Sequence, residues 1–471
     1  MGRTEGSNRQ RTAAATVNAA RRRWTLAATG VGFAVVQLDV SVVNVAVKPI
    51  GDELGGGVAA LQWIVSAYTV AFAAFILSAG ALGDRLGAKR MLLAGFTLFI
   101  AASLVCALAP NLGVLIAARA VQGMGAAALV PSSLSVLSHT YPDARARAGA
   151  VGIWALAGSA ALSAGPLVGG VLIQTLGWRW IFYINIPLAL FGILVVLLAA
   201  AETTRSTERR LDIPGQVLGV VALGLLTAGI IEGGQFGFDE PFVVGALVLA
   251  VAAGTAFVLV ERRMRQPMLP VESFRIPLFR WSIVIGLFVN VAFYGLIFVL
   301  SLFFQRAQHA SALVTGFVFL PMTLAVMLTN FYAARLQARF GSRVCVMVSA
   351  AVLVVCSGAL LFLDVGTPYA VIVVQLVGLG AALGVIVPII TSSALAGADV
   401  ERSGVASATL NTARQTGSAV GVALYGAQLG RSIVGGFRVD LGITIVLSAL
   451  ILGAGSRLDD RHESQRDPAV Q

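Results

Sequence analysis

Charged residues are scarce in this chain: they make up 12% of its 471 residues, whereas hydrophobic residues make up 58%. A water-soluble domain carries about 25% charged residues. The low charge and the mean hydropathy of +0.88 therefore exclude an ordinary soluble protein and predict an integral membrane protein. A net charge of +11 is also typical of nucleic-acid binding, but the basic residues lie in short connections between hydrophobic runs. Membrane topology explains that placement, so we expect no nucleic-acid partner.

Residues that hold metals, disulfides or catalytic centres are also few. The three cysteines (Cys106, Cys345 and Cys356) lie in or beside hydrophobic runs without metal-ligand spacing, and no two of the three histidines are close in sequence. The chain has no nucleophile elbow, HExxH pair or Walker loop, so we expect no enzyme, no metal and no cofactor. A membrane sensor would need a sizeable soluble domain, and no connection exceeds about twenty residues.

Hydrophobic runs long enough to cross a bilayer recur along the whole chain. They cover about 24–47, 60–81, 91–109, 112–137, 146–175, 179–201, 213–231, 241–260, 281–304, 312–333, 343–363, 369–395, 403–428 and 440–456. The sequence therefore predicts an all-α integral membrane protein with fourteen transmembrane helices. Its predicted parts are a cytosolic N-terminal tail without packed structure (1–23), a six-helix bundle (24–201), a cytosolic linker (202–212), a two-helix insert (213–260), a second linker (261–280), a second six-helix bundle (281–456) and a cytosolic C-terminal tail (457–471).

Alternate connections are basic, as the positive-inside rule requires. The basic ones hold Arg85, Lys89 and Arg90; Arg145 and Arg147; Arg205, Arg209 and Arg210; the second linker; and Arg335, Arg339 and Arg343. The other connections are poor in Lys and Arg, except the last, which holds Arg431 and Arg438. This pattern predicts a multi-pass protein of the cell inner (plasma) membrane with both termini in the cytoplasm.

A weak internal repeat agrees with two equivalent halves. The segment GDRLGAKR (83–90) follows the second run, and the similar segment QARFGSRV (337–344) follows the tenth. Two groups of six spans with a two-span insert between them give this offset. Paired halves of six spans are the architecture of a large class of secondary transporters.

An acid lies deep inside the first hydrophobic run. Asp39 follows the basic cluster 21–23 by about fifteen residues, or ~22 Å of helix. A carboxylate at such a depth costs at least ~2.5 kcal/mol and is by default a functional-site hypothesis. Arg119, in the fourth run, lies ~20 Å from the same face, so an Asp–Arg pair is geometrically allowed. Both residues are candidates for proton coupling; a purely structural ion pair is the alternative.

Six motifs occur in order, each on the expected run or connection. They are LDVSVVNVAV (38–47), LQWIVSAYTV (61–70), GALGDRLGAKR (80–90), RAVQGMGAA (119–127), GSAALSAGPLVGG (158–170) and WRWIFYINIP (178–187). On these motifs the chain resembles the major facilitator superfamily, in its fourteen-span drug:proton antiporter branch of actinobacterial-type multidrug or antibiotic efflux transporters. The resemblance covers essentially the whole chain after the N-terminal tail. The connection before the last run (429–439) is shorter than is usual in the family.

The resemblance implies two conformational elements. A cytosolic latch corresponds to Gly80, Gly83, Asp84, Arg85, Gly87 and Arg90, for which an ordinary positive-inside loop is the alternative. An antiporter helix, associated in the family with export rather than import, corresponds to Gly158, Gly165, Pro166, Gly169 and Gly170. Asn411, Arg414 and Gln415 also match a family pattern, to which we assign no role.

Polar and aromatic residues inside the runs are candidates for lining a central substrate cavity. They are Gln37, Asn44, Gln122, Trp154, Asn290 and Tyr294, for each of which helix packing is the alternative. Aromatic surfaces suit bulky hydrophobic or cationic drugs. We therefore expect a monomeric proton-coupled antiporter that exports small amphipathic drugs or antibiotics across the lipid bilayer by alternating access. The alternative is an exporter of an endogenous metabolite or self-made natural product.

Overall fold

The computed structural model describes residues 2–203, 212–264, 271–397, 403–429 and 432–458, and within these ranges every regular element is helical. The helices are α1 (Gly2–Leu54), α2 (Val58–Leu86), α3 (Ala88–Ala107), α4 (Leu112–Thr140), α5 (Ala144–Leu176), α6 (Trp180–Tyr183), α7 (Asn185–Ala199), α8 (Ile213–Phe236), α9 (Pro241–Arg263), α10 (Pro277–Leu302), α11 (Ala312–Leu360), α12 (Tyr369–Ala396), α13 (Ser403–Gln428) and α14 (Ile433–Gly455). A 3₁₀ turn (Val271–Arg275) precedes α10, and a π-helical turn (Phe303–Ala307) extends it.

Twelve helical segments of the described ranges are long and hydrophobic enough to cross a membrane, which makes the chain a multi-span membrane protein. The fourteen predicted runs differ from these twelve segments in two places. First, α11 counts once, although Gly341 at φ 79° and ψ 160° divides it into two helical parts. Second, α13 does not reach the hydropathy of the other spans, because polar residues recur along it.

Some sequence expectations concern the ends and connections of the chain. The backbone of α1 is already helical from Gly2, so helix continues through the segment that we expected to be a tail without packed structure. The predictions for Arg205, Arg209 and Arg210, for Arg431, and for residues 459–471 of the C-terminal tail fall outside the described residues.

Two helical bundles pack around a central cavity. In the first half, α1 packs on α5 and α7, and α4 packs on α2 and α3; in the second half, α10 packs on α13 and α14, and α11 packs on α12. The halves meet where α2 contacts α13 and where α5 contacts α11. Small residues permit this second contact, since a Cβ atom added at Gly170 of α5 would lie 2.8 Å from the carbonyl oxygen of Ala312.

The two-helix insert lies against both halves at one side of the molecule. Helices α8 and α9 pack on each other, and α8 packs on α2 and on α13. Near the start of α8, Gln216 donates a hydrogen bond of 2.8 Å to the carbonyl oxygen of Ala74. Near its end, Glu232 accepts one of 3.2 Å from the indole of Trp63. The insert therefore covers the α2–α13 contact between the halves.

The two ends of the bundle differ in charge. One end carries the turn between α2 and α3, the connection between α4 and α5, and the start of α10, and we call it the basic end because Arg85, Arg147 and Arg280 lie there. The other is called the opposite end.

At the opposite end the halves are hydrogen-bonded together. The hydroxyl of Ser301 donates to the carbonyl oxygen of Asn44 at 2.6 Å, and the amide of Gln305 donates to that of Val45 at 3.1 Å. The amide of Gln62 similarly reaches the carbonyl oxygen of Ala423 at 2.7 Å. These contacts join α1 to α10 and its π-helical turn, and α2 to α13, and they close the opposite end.

Candidate functional site

A buried carboxylate is the centre of a polar cluster in the first half. Asp39 of α1 is 0% exposed. Its Oδ2 atom accepts a hydrogen bond of 2.5 Å from Nη1 of Arg119, and its Oδ1 atom accepts bonds of 2.9 Å from the amides of Gln122 and Asn185. Ser103 of α3 in turn accepts from the Gln122 amide at 2.9 Å. Helices α1, α3, α4 and α7 are therefore linked through one carboxylate.

The guanidinium of Arg119 donates three hydrogen bonds. Beyond Asp39, it donates from Nε to the carbonyl oxygen of Ile64 at 3.0 Å and from Nη1 to Oε1 of Gln122 at 2.7 Å. The ring of Tyr68 lies 4.3 Å from its central carbon, which adds a cation–π contact. The Asp–Arg contact that the depth estimate allowed is thus present, as a fully buried ion pair.

A cavity of about 1810 Å³ lies between the two halves and opens at the basic end. Its wide part, at the basic end of the bundle, is lined by residues near the ends of helices, among them Asp84, Ser138 and Leu395. Its inner part is lined by Gln37, Trp154, Asn290 and Tyr294, which the sequence predicted as cavity residues. Because the opposite end is closed, the cavity is accessible from one side of the bundle only.

Two other residues predicted to line the cavity lie elsewhere. Gln122 is 0% exposed and belongs to the Asp39 cluster. Asn44 is buried beside the closed end, where its side chain donates to the carbonyl oxygen of Val40 at 2.8 Å. Both side chains find hydrogen-bond partners among helices instead of facing the cavity, which is the helix-packing alternative stated for them.

The predicted latch residues lie at the turn from α2 to α3. Gly87 adopts φ 102° and ψ 128°, a conformation that favours glycine, and its N–H donates to the carbonyl oxygen of Gly83 at 3.0 Å. Gly80, Gly83 and Asp84 line the cavity.

Beyond the turn, the loop is held to its own half. Arg90 lies 3.5 Å from a carboxylate oxygen of Glu202, and Lys89 donates to the carbonyl oxygen of Ala200 at 2.7 Å. Arg85 is exposed at the basic end.

The predicted antiporter residues of α5 form its close contacts with both halves. On α1, Gly158 packs on Phe33, Gly165 on Ser41 and Gly169 on Val42. Gly170 contacts α11, as does the carbonyl group of Pro166, which faces Gly316. Since α5 packs mainly on α1 of its own half and on α11 of the other, a change in its bend would move the halves relative to each other.

The structure also reveals buried polar residues that the sequence analysis missed. Asn185 was part of a quoted motif but received no role, and Ser103 gave no signal among its hydrophobic neighbours. Asp440 of α14 is 0% exposed, and neither of its carboxylate oxygens has a hydrogen-bond partner among the described residues. The predicted run began at residue 440, which placed Asp440 at a helix end; α14 begins seven residues earlier, so Asp440 lies ~10 Å inside.

No group of three or more His, Cys, Asp or Glu side chains in the described ranges is arranged to hold a metal ion. The polar clusters of these ranges are built from ion pairs, amides and hydroxyls.

Comparison with known proteins identifies the family of this chain. Residues 29–422 match the Major Facilitator Superfamily. The chain is 37% identical over 404 residues to the methylenomycin A resistance protein of Streptomyces coelicolor, covering 86% of this chain and 85% of that protein. It is 33% identical over 461 residues to the multidrug resistance protein Stp of Mycobacterium tuberculosis, covering 95% and 86%.

A solved structure supports the same fold. The human organic anion transporter MFSD10 (TETRAN) superposes with a TM-score of 0.61 at 17% identity, covering 91% of this chain and 99% of that one. At this identity the likeness concerns the fold alone. The match over residues 29–422, the two resistance proteins and the two-bundle architecture lead to one conclusion: the chain belongs to the major facilitator superfamily of membrane transporters.

Proposed function

We infer that this transporter is a proton-coupled antiporter that exports small amphipathic drugs or antibiotics. The observation that carries this inference is a large cavity between two halves, open at one end and closed at the other, beside a buried Asp39–Arg119 pair. Alternating access requires such an arrangement, because the substrate must reach the site from one side at a time. The names of the two relatives, which refer to methylenomycin A resistance and multidrug resistance, support drug-like cargo.

The basic end is the cytoplasmic end in this proposal, because basic connections stay inside. The chain then crosses the membrane fourteen times, with α11 supplying two spans on either side of Gly341 and α13 supplying one. Both termini lie in the cytoplasm, and the structure corresponds to the inward-open state. One chain forms the whole cavity, so a monomer suffices for transport.

Asp39 couples the proton to the closure of the outer end. Asp39 as a carboxylate accepts three hydrogen bonds, and Arg119 balances its charge. Adding a proton removes that charge and occupies one oxygen, so the bonds that join α1 to α4 and α7 weaken. Asn44 and Val45, whose carbonyl groups hold the outer closure, follow five and six residues later on the same helix. Movement of α1 therefore transmits the protonation of Asp39 to the closure.

The α2–α3 turn acts as the inner latch. In the inward-open state Lys89 and Arg90 contact residues after α7 of their own half, and the cavity extends past Asp84. Closing the inner end brings the second half against this turn. The glycine conformation at Gly87 keeps the turn short enough to fit between helices.

The decisive experiment compares Asp39→Asn with wild type in cells, at matched protein levels, by efflux of the uncharged dye Nile red and by resistance to a panel of antibiotics. Loss of efflux in Asp39→Asn, and in wild type treated with a protonophore, is the expected result. Asp364→Asn is the matched control, because it removes an acid that is 78% exposed at the opposite end. Full efflux by Asp39→Asn would exclude Asp39 as the coupling acid.

A second candidate function is export of a single natural product. The relative named for resistance to methylenomycin A alone favours this candidate. The same panel separates the two functions: protection against several unrelated compounds supports multidrug export, whereas protection against one supports a dedicated exporter. If cells with the protein accumulate as much dye as cells without it, and are protected against one antibiotic, the protein is a dedicated exporter.

A further inference from the structure

The inner cavity carries a positive charge from the second half. Arg414 of α13 lines the cavity eleven residues after the start of the helix, which places it ~16 Å from the basic end. Among the described residues it makes no ion pair and no hydrogen bond. Its neighbours on α10 are Gly286, which leaves room beside its aliphatic stem, and Tyr294, whose neutral phenol lies near the guanidinium.

Acidic residues line only the wide end of the cavity. Asp84 is the third-last residue of α2, Asp212 precedes α8, and Glu261 is the third-last residue of α9, so all three lie at the basic end. Asp39 is 0% exposed and forms an ion pair with Arg119, so it does not add a negative charge to the cavity wall. In the described part of the chain, the inner cavity therefore combines a cation with neutral polar and aromatic groups.

An arginine without a counter-ion at this depth is costly for a membrane protein, and such a charge generally has a functional partner. A guanidinium presents a planar fork of N–H donors that matches the two oxygens of a carboxylate. Across the cavity, the first half supplies an aromatic wall: the rings of Phe33 and Trp154 stack at 3.9 Å, and both line the cavity. The cavity thus offers a cationic side and an aromatic side.

We propose that the inner cavity binds amphipathic organic acids, with the carboxylate on Arg414 and the hydrophobic body against Phe33 and Trp154. The proposal rests on the proposed export function for the role of the cavity as the substrate site. It names a substrate class opposite in charge to the cationic drugs that, beside hydrophobic ones, the aromatic residues were expected to suit. Binding of the acid supplies the counter-ion that Arg414 lacks in the empty cavity.

The test uses three probes that share one ring system: 2-naphthylacetic acid, its primary amide, and 2-(2-naphthyl)ethylamine. Binding to the full-length protein in phosphatidylcholine nanodiscs is measured by calorimetry, without an ion gradient. Wild type is expected to bind the acid at least tenfold more tightly than the amide, and the amine least tightly. Equal affinities for acid and amide, or no binding of the acid at millimolar concentration, would overturn the proposal.

Variants assign the preference to one side chain. Arg414→Gln is expected to reduce the preference for acid over amide to less than twofold, whereas Arg414→Lys keeps at least threefold. Arg275→Gln is the matched control, since Arg275 lines the exposed mouth of the same cavity, and it is expected to keep the tenfold preference. A tenfold preference retained in monodisperse Arg414→Gln contradicts the assignment. The wild-type comparison decides the matter even if that variant does not accumulate.

A lipid phosphate is the other source of an anion for Arg414. Replacing half of the phosphatidylcholine by phosphatidylglycerol is expected to leave the affinity for 2-naphthylacetic acid unchanged. Loss of acid binding in the anionic nanodiscs would assign the site to a lipid headgroup and overturn the substrate assignment. Because these measurements need no transport, failure of drug efflux in cells would refute the export function separately from the binding site.

Discussion

The two halves of the transporter treat their buried charges differently. In the first half, Asp39 and Arg119 neutralise each other, and the side-chain amides of Gln122 and Asn185 hydrogen-bond to the pair. In the described part of the second half, Arg414 lines the cavity without an ion pair, and neither carboxylate oxygen of the buried Asp440 is hydrogen-bonded. The halves share an architecture, but among the described residues only the first half contains a buried ion pair.

The last helix of each half shows this difference most directly. On α7, Asn185 contributes its amide to the Asp39 cluster. On α14, no described group bonds the carboxylate of Asp440, and the nearby hydroxyls of Tyr425 and Thr444 bond to each other at 2.8 Å. A saturated cluster holds its helices in one arrangement until a proton or a substitution disturbs it. An unpaired charge is instead available to a ligand. This contrast agrees with the two proposals above, in which the first half couples the proton and the second half binds the substrate.

The largest effect is expected from breaking the buried ion pair between Asp39 and Arg119. Asp39→Asn leaves the Arg119 guanidinium buried without a counter-charge, and removing one partner of a buried pair costs about 3–5 kcal/mol. The melting temperature in detergent should fall strongly, and efflux should be lost. The double variant Asp39→Asn/Arg119→Gln should recover most of the melting temperature but not the efflux. Recovery of efflux by the double variant would show that the pair is structural only.

A smaller effect, of opposite sign, is expected from Asp440. Because no described group bonds its carboxylate, Asp440→Asn removes the burden of an unpaired acid and should leave stability unchanged or raise it by about 1–3 kcal/mol. The melting temperature measured beside that of Asp39→Asn tests the comparison between halves. A decrease as large as that of Asp39→Asn would mean that Asp440 has a partner in another conformation.

Much of the architecture was predictable from the sequence because hydrophobic length and basic connections are one-dimensional signals. The all-α membrane fold and the family followed from these runs and from ordered motifs, and both are confirmed. Pairing of Asp39 with Arg119 was accessible because helix rise converts sequence position into depth. The depth of each residue in the membrane was enough to predict this pair, because both residues lie on long, regular helices.

Orientation around the helix axis was not predictable in the same way. Gln122 and Trp154 were both assigned to the cavity, yet only Trp154 lines it, since α4 turns Gln122 toward Asp39. Nearly all faces of these helices are hydrophobic. The sequence pattern therefore does not show which face of a helix points toward the cavity. The depth of Asp440 was not predictable for a different reason: Arg438 and Asp440 interrupt the hydrophobic pattern, so that pattern begins later than α14 itself.

A moderate effect is expected at the closure between halves. Ser301→Ala and Gln305→Ala each remove a hydrogen bond from α10 to α1, worth about 1 kcal/mol per bond. The double variant should populate the state open at the opposite end more often. In a background without Cys106, Cys345 and Cys356, labelling of Val45→Cys by a membrane-impermeant maleimide should accelerate severalfold. Thr97→Ala, which removes a hydroxyl bonded only within its own exposed helix turn, is the control and should not change the rate.

The smallest effect is expected from the exposed ion pair of the second half. Arg438 and Asp364 lie 3.0 Å apart with side chains that are 53% and 78% exposed, and water screens such pairs. Arg438→Ala should change stability by less than about 1 kcal/mol and leave efflux at the wild-type level. The same change in charge is severe at Arg119 and slight at Arg438 because burial, not distance, sets the strength of each pair. Melting temperatures of Arg438→Ala and Arg119→Ala measured together therefore test this reasoning, and equal losses would contradict it.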